Sequence, residues 1–160
     1  MIVCCFGRQS PINMILLFLF TLCESWMVAG ITSVYPPDIV MVAGAATALT
    51  TIALTIYALR TTTSIEVFAA MSFVVYLAMF PLIIIGLVVG LGALYTLYCA
   101  LGVLLYALFL IIDTIMICKG DSMSGYGCDM DDYVIGAMML YMDIIMLFLY
   151  ILRLLGSSNR

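Results

Sequence analysis

"YVIGAMMLYMDIIMLFLYIL", Tyr133–Leu152, runs for 20 residues with a single charge, Asp143. About 20 apolar residues are enough for a helix to cross the hydrocarbon core of a bilayer. An ionisable side chain at the bilayer centre costs roughly 3 kcal/mol on insertion scales, so such groups mark an ion path, a proton relay or a polar contact inside a helix bundle. Upstream, Asp113 interrupts a second apolar stretch and Glu24 lies inside a third. The chain reads as a membrane protein whose chemistry rests on buried carboxylates.

Composition agrees. Of the 160 residues 67% are hydrophobic and 9% are charged, with a mean hydropathy of +1.32. Soluble chains average about 25% charged residues, so the solvent here is lipid. The net charge of −4 argues against nucleic acid as a partner, which would call for a basic face. With no histidine, histidine-ligated metal sites and Ser-His or Cys-His triads are excluded, and no cofactor is implied. The six cysteines, Cys4, Cys5, Cys23, Cys99, Cys118 and Cys128, are scattered in a pattern that is neither a disulfide framework nor a zinc site. Cys4 and Cys5, beside a membrane entry, are candidates for palmitoylation, the plainer reading being small residues at a helix end. The first apolar segment is too long for a cleaved signal, carries Glu24 and lacks a basic flank, so it is expected to be retained.

The pattern predicts an all-α integral membrane fold of about five transmembrane helices, one domain over residues 1–160, with segments at 12–34, 39–59, 67–88, 91–117 and 133–155. Ser10-Pro11 supplies a helix start, and Pro36-Pro37 breaks the first segment from the second. The second is rich in small residues, Ala43, Gly44, Ala45, Ala46 and Ala48. These allow close helix approach, with Thr47, Thr50, Thr51 and Thr55 available for interhelical hydrogen bonds. Val67–Ile112 holds no formal charge; it is two spans, with Gly86, Gly90 and Gly92 at the turn and a kink expected at Pro81. Arg8, Arg60 and Lys119 fall in alternate connections, whereas the turns near Pro36-Pro37 and Gly90 have no basic residue, which places the N-terminus in the cytosol. Arg153 and Arg160 favour the cytosol too, although five full spans end on the far side. Either the last run is re-entrant or the charge rule loses at this terminus.

At about 1.5 Å rise per residue, Asp143 and Glu24 lie roughly 16–18 Å deep, near the midplane. Asp113 sits about five residues from the end of its run, so upright helices would separate it from Asp143 by roughly 9 Å, which counts against a preformed pair. Two carboxylates that do meet cannot both ionise cheaply, and they titrate as a unit in two steps. With one proton such a pair joins two helices; without it, repulsion parts them. Carboxylates also suit calcium, a hard cation, which could bind transiently at Asp113 and Asp143. The plain alternative for each acid is a protonated, hydrogen-bonded side chain, most readily so for Glu24. The aspartates of the last loop, Asp121, Asp129, Asp131 and Asp132, read as solvated surface and a helix N-terminal cluster, without EF-hand spacing. An intramembrane aspartyl protease would use two such acids. However, Gly125-Tyr126-Gly127-Cys128-Asp129 matches its glycine-rich motif only superficially and lies in a loop, so an enzyme is not expected.

Three stretches resemble the Bax inhibitor-1/lifeguard family of seven-helix membrane proteins, closest to the lifeguard branch. "CCFGRQSPINMILLFLFTLCESWMVAGITSVY" (Cys4–Tyr35) is similar to the family's end of helix two, basic turn and third helix. "LYCALGVLLYALFLIIDT" (Leu97–Thr114) is similar to its sixth helix, and "DDYVIGAMMLYMDIIMLFLYILRLLG" (Asp131–Gly156) to its seventh. The resemblance implies a truncated form of that fold, without the first two helices and with the last helix central. It implies a pH-sensing aspartate pair, Asp113 and Asp143, gating a calcium leak in endoplasmic reticulum or Golgi membranes, and a role in restraining cell death. Lipids, calcium ions, full-length family members and cell-death regulators are the partners it implies. An alternative is a non-conducting protein that packs on full-length relatives. The chain departs from the family pattern at Met139 and Met146, where asparagines flank the last aspartate, and at Ile115, where a glutamine follows the Asp-Thr pair. The turn Arg60–Glu66 also lacks its usual aspartate.

Overall fold

A computed structural model describes residues 12–89, 92–119 and 133–158, and all of its regular structure is helical. The helices are α1 (Ile12–Thr32), α2 (Pro37–Arg60), α3 (Ile65–Val89), α4 (Gly92–Lys119) and α5 (Tyr133–Ser158). Four of them are long and apolar enough to cross a membrane, over Pro37–Arg60, Ile65–Ile85, Leu94–Cys118 and Gly136–Ser157. In α1 the corresponding stretch is the shorter Leu17–Thr32. The last-loop aspartates, the glycine-rich Gly125–Asp129 segment, Arg8, Arg160, Cys4, Cys5 and Cys128 lie outside the described residues.

Local chemistry accounts for the ends. Pro37 opens α2 at N1, where its fixed φ is already helical and its missing N–H is no loss. The helix therefore starts two residues earlier than hydropathy alone sets it. The Pro36 carbonyl accepts from the N–H groups of Ile39 (3.1 Å) and Val40 (3.2 Å). Asp38 in the first turn and Arg60 in the last each match the helix dipole. Thr61 leaves the helix in extended conformation, its N–H donating to the Tyr57 carbonyl at 2.8 Å.

In lipid every hydroxyl needs a partner, and most described ones find it in their own helix. Thr47 donates to the Ala43 carbonyl (2.7 Å), Ser72 to that of Ala69 (2.8 Å) and Thr114 to that of Leu110 (2.6 Å). The interhelical role expected for Thr47 is thus corrected: the carbonyl four residues back is already in reach. The small-residue face of α2 is narrower than its composition. Ala43 is fully buried against Leu147, Ile151 and Leu152, whereas Ala45 and Ala48 face outward and nothing approaches Gly44.

The centre of the bundle is shared by the last two helices. α5 packs on α1, α2 and α4, while α4 packs on α2, α3 and α5. Leu110, Ile115, Leu147 and Leu152 are almost wholly enclosed. The outer faces carry exposed apolar side chains such as Phe18, Trp26, Met41, Phe73 and Phe80, as lipid contact requires. α5 is a continuous 26-residue helix and not re-entrant. Its Ser157 hydroxyl bonds that of Thr96 near the start of α4 at 2.9 Å, and Gly156 abuts the Tyr35 ring. The C-terminal end of α5 therefore lies at the end of the bundle opposite Arg60.

Candidate functional site

α4 and α5 run antiparallel with a steady register. Ile117 faces Gly136 at 3.2 Å from where a Cβ would stand, Gly102 faces Tyr150, and Thr96 faces Ser157. In this register the start of α5 is level with the end of α4, and Asp113 and Asp143 differ in height by only about one helical turn, roughly 5 Å. Their carboxyl groups lie within hydrogen-bonding reach of each other. The separation expected from upright helices is therefore corrected. The apolar run stops at Ile117 but the helix continues to Lys119, which moves the level reference outward by two residues. Side-chain length spans what remains.

A carboxylate only accepts hydrogen bonds, so a bond between two carboxyls requires a proton on one of them. Asp143 is 7% exposed and its Oδ2 has no partner among the described residues. Asp113 is half-buried, flanked by the enclosed Ile112, Thr114 and Ile115. Ile115, where the family carries glutamine, is a core residue at 2% exposure. Met146 is half-buried and Met139 exposed, so no polar side chain from these three positions reaches the pair.

Glu24 stands apart. α1 runs parallel to α5: Phe20 meets Tyr141 edge-on with ring centroids 6.1 Å apart, and Tyr35 meets Gly156. The same offset holds at both points and puts Glu24 within about 3 Å of Asp143 in depth. Its Oε2 is buried without a partner, as is the Thr51 hydroxyl of α2. Among the described residues no three His, Cys, Asp or Glu side chains converge to hold a metal ion. The two aspartates are the candidate site.

Over all 160 residues the chain matches the family described as "Inhibitor of apoptosis-promoting Bax1". It belongs to the Bax inhibitor family. Protein lifeguard 3 of Homo sapiens is 32% identical over 99% of this chain and 52% of that protein, and the Mus musculus protein is 30% identical over the same shares. The "Golgi anti-apoptotic protein" of Vaccinia virus (strain Lister) is 32% identical over 96% of this chain and 62% of its own. The chain spans about half the length of the lifeguard 3 proteins it matches.

Within this Bax inhibitor family chain, charge-in-apolar reasoning found the acids but missed the tyrosines. Tyr98 and Tyr150 share a hydroxyl hydrogen bond of 3.1 Å, Tyr106 stacks on Tyr150 at 5.5 Å, and the Arg153 guanidinium lies 5.5 Å from the Tyr150 ring centre. The signal was a seven-residue spacing: Asp143, Tyr150 and Ser157 on α5 answer Asp113, Tyr106 and Cys99 on α4. Helices packed in a near-antiparallel coil repeat their contacts at that interval.

Proposed function

We propose that this chain forms a slow calcium-permeable path in an intracellular membrane, switched by the proton shared between Asp113 and Asp143, and that it restrains cell death by lowering stored calcium. The observation that carries this reading is the carboxyl contact between two helices in the centre of the bundle. With one proton the pair ties α4 to α5. Without it, two negative charges a few ångströms apart in a low-dielectric site repel strongly, and the helices part. The Golgi is the favoured membrane, from the name of the viral relative, with the endoplasmic reticulum as the alternative. The distribution of Arg8, Arg60 and Lys119 supports a cytosolic N-terminus.

The test is proteoliposomes loaded with a calcium dye. Leak varies with pH in the unaltered protein, and Asp143→Asn, which keeps the shape but cannot lose a proton, abolishes that variation. A leak whose pH profile survives Asp143→Asn refutes the reading.

A second reading, a non-conducting protein that packs on full-length relatives, is favoured by the apolar Ile115, Met139 and Met146 around the pair. Crosslinking in native membranes separates the two: recovery of a relative supports it, and monomer alone refutes it.

A further inference from the structure

The carboxyl pair has one short and one long way out of the bundle. Towards Lys119 the helix end is about 9 Å away, but that way is filled by Ile112 and Ile115 and by Ile117 packed on Gly136. Among the described residues the buried hydroxyl there, Thr114, is committed to the Leu110 carbonyl at 2.6 Å. Towards the start of α4 the way is long but polar. Tyr106 comes next after the pair: in the α4–α5 register set by Ile117 on Gly136 and Tyr150 on Gly102, it lies about one helical turn, roughly 5 Å, from the level of Asp143. It stacks on Tyr150, whose hydroxyl bonds Tyr98 at 3.1 Å, and Thr96 and Ser157 close the series at 2.9 Å.

We propose that the hydroxyls of Tyr106, Tyr150 and Tyr98 are the proton route between the Asp113–Asp143 pair and the membrane face where α4 begins and α5 ends. Each phenol both donates and accepts. A proton from bulk water is taken up by the Tyr98 oxygen as Tyr98 releases its own to Tyr150. The same exchange carries it through Tyr106 to the Oδ2 of Asp143, which has no partner among the described residues, with a water molecule bridging the hydroxyl of Tyr106 to Tyr150 on one side and to the carboxyl on the other. Every hydroxyl ends with the proton count it began with, and only the carboxyl gains.

Other ionisable groups border the seam at its outer end. Tyr95 and Cys99 are neighbours on α4, with Tyr35 and Arg153 close by. The sides facing α2 and α3 are apolar, with Ala43, Val75 and Met79. Glu24, on α1, has no described contact with a seam tyrosine. Arg153 on α5 and Asp38 in the first turn of α2 both lie at this end of the bundle, where Tyr35 meets Gly156.

The route rests on reading the pair as proton-responsive, but not on conduction, so the test monitors the pair directly. Protein reconstituted in one orientation is given a rapid pH change on one face, and the carbonyl stretch of the protonated carboxyl is followed by infrared. The expected result is fast uptake from the face bearing Ser157 and slow uptake from the other. In Tyr98→Phe/Tyr150→Phe uptake slows about a hundredfold, the low end of what a positioned proton-transfer group contributes, while the equilibrium titration of the band stays unchanged. Tyr98→Phe alone moves the same way and serves if the double variant does not fold. Unchanged uptake in these variants, or faster uptake from the Lys119 face, overturns the route and leaves the pair's role intact. A band that never responds to pH, checked against Asp143→Asn, overturns both.

Discussion

Gly102 is where the packing of α4 on α5 is tightest, and Gly102→Ala should show it. A Cβ at this position would stand 2.8 Å from the Tyr150 Cγ and nearer still to two other ring carbons, where ordinary contact begins at 3.4 Å. The ring has no free direction in which to retreat. Tyr106 stacks on it, Tyr98 bonds its hydroxyl, and Met79 and Leu105 complete the pocket. Overpacking of this kind costs about 1–3 kcal/mol. Displacing the ring adds about 1 kcal/mol for the lost hydroxyl bond and about 0.5–1.5 kcal/mol for the aromatic contacts. Against this, alanine is better than glycine in a helix by about 1 kcal/mol. The net expectation is a loss of roughly 1.5–4.5 kcal/mol. In a Tyr150→Ala background the overlap is gone and only the propensity remains, so Gly102→Ala should stabilise by up to about 1 kcal/mol. Reversible unfolding in mixed detergent micelles, followed by circular dichroism as a double-mutant cycle, measures both numbers. If Gly102→Ala is equally costly in the two backgrounds, the seam does not pack through this glycine and the register argument fails.

Spin labels on the outer faces of α4 and α5 should move apart as pH rises and the shared proton leaves, because only the protonated pair can hydrogen-bond; Asp143→Asn should hold their distance constant at every pH. Trp26, the sole tryptophan, is 85% exposed on α1. Its fluorescence should be quenched strongly by brominated lipid and little by aqueous acrylamide, and protection from both would instead mean that another protein covers α1.

The helical class was legible because lipid imposes it: apolar runs of spanning length admit few other structures. The buried acids were legible for the same reason, since Asp113, Asp143 and Glu24 are conspicuous among uncharged neighbours. Whether two of them touch was not. Depth counted from the last apolar residue, Ile117, places Asp113 too near the surface, because a helix need not stop where hydropathy does. Thr47 was misjudged because sequence shows that a hydroxyl is present but not that its own helix has already claimed it. The tyrosines were overlooked because they score as part of the apolar run, and only their seven-residue echo of Asp143 distinguishes them.

That echo bears on why the pair can form at all. Helices in lipid gain little from hiding apolar surface on one another, so they associate through close packing and through polar contacts. The α4–α5 interface uses both in alternation. Gly136 admits Ile117 and Gly102 admits Tyr150; between these two glycine contacts the carboxyls meet. The glycines bring the backbones close enough for short aspartate side chains to reach across. A change that widens the interface at Gly102 should therefore weaken the carboxyl contact about two turns away without touching either acid. Conversely, charge repulsion at the pair must work against that packing before the helices can part. The proposed switch and the fit of the helices would then be two expressions of one interface.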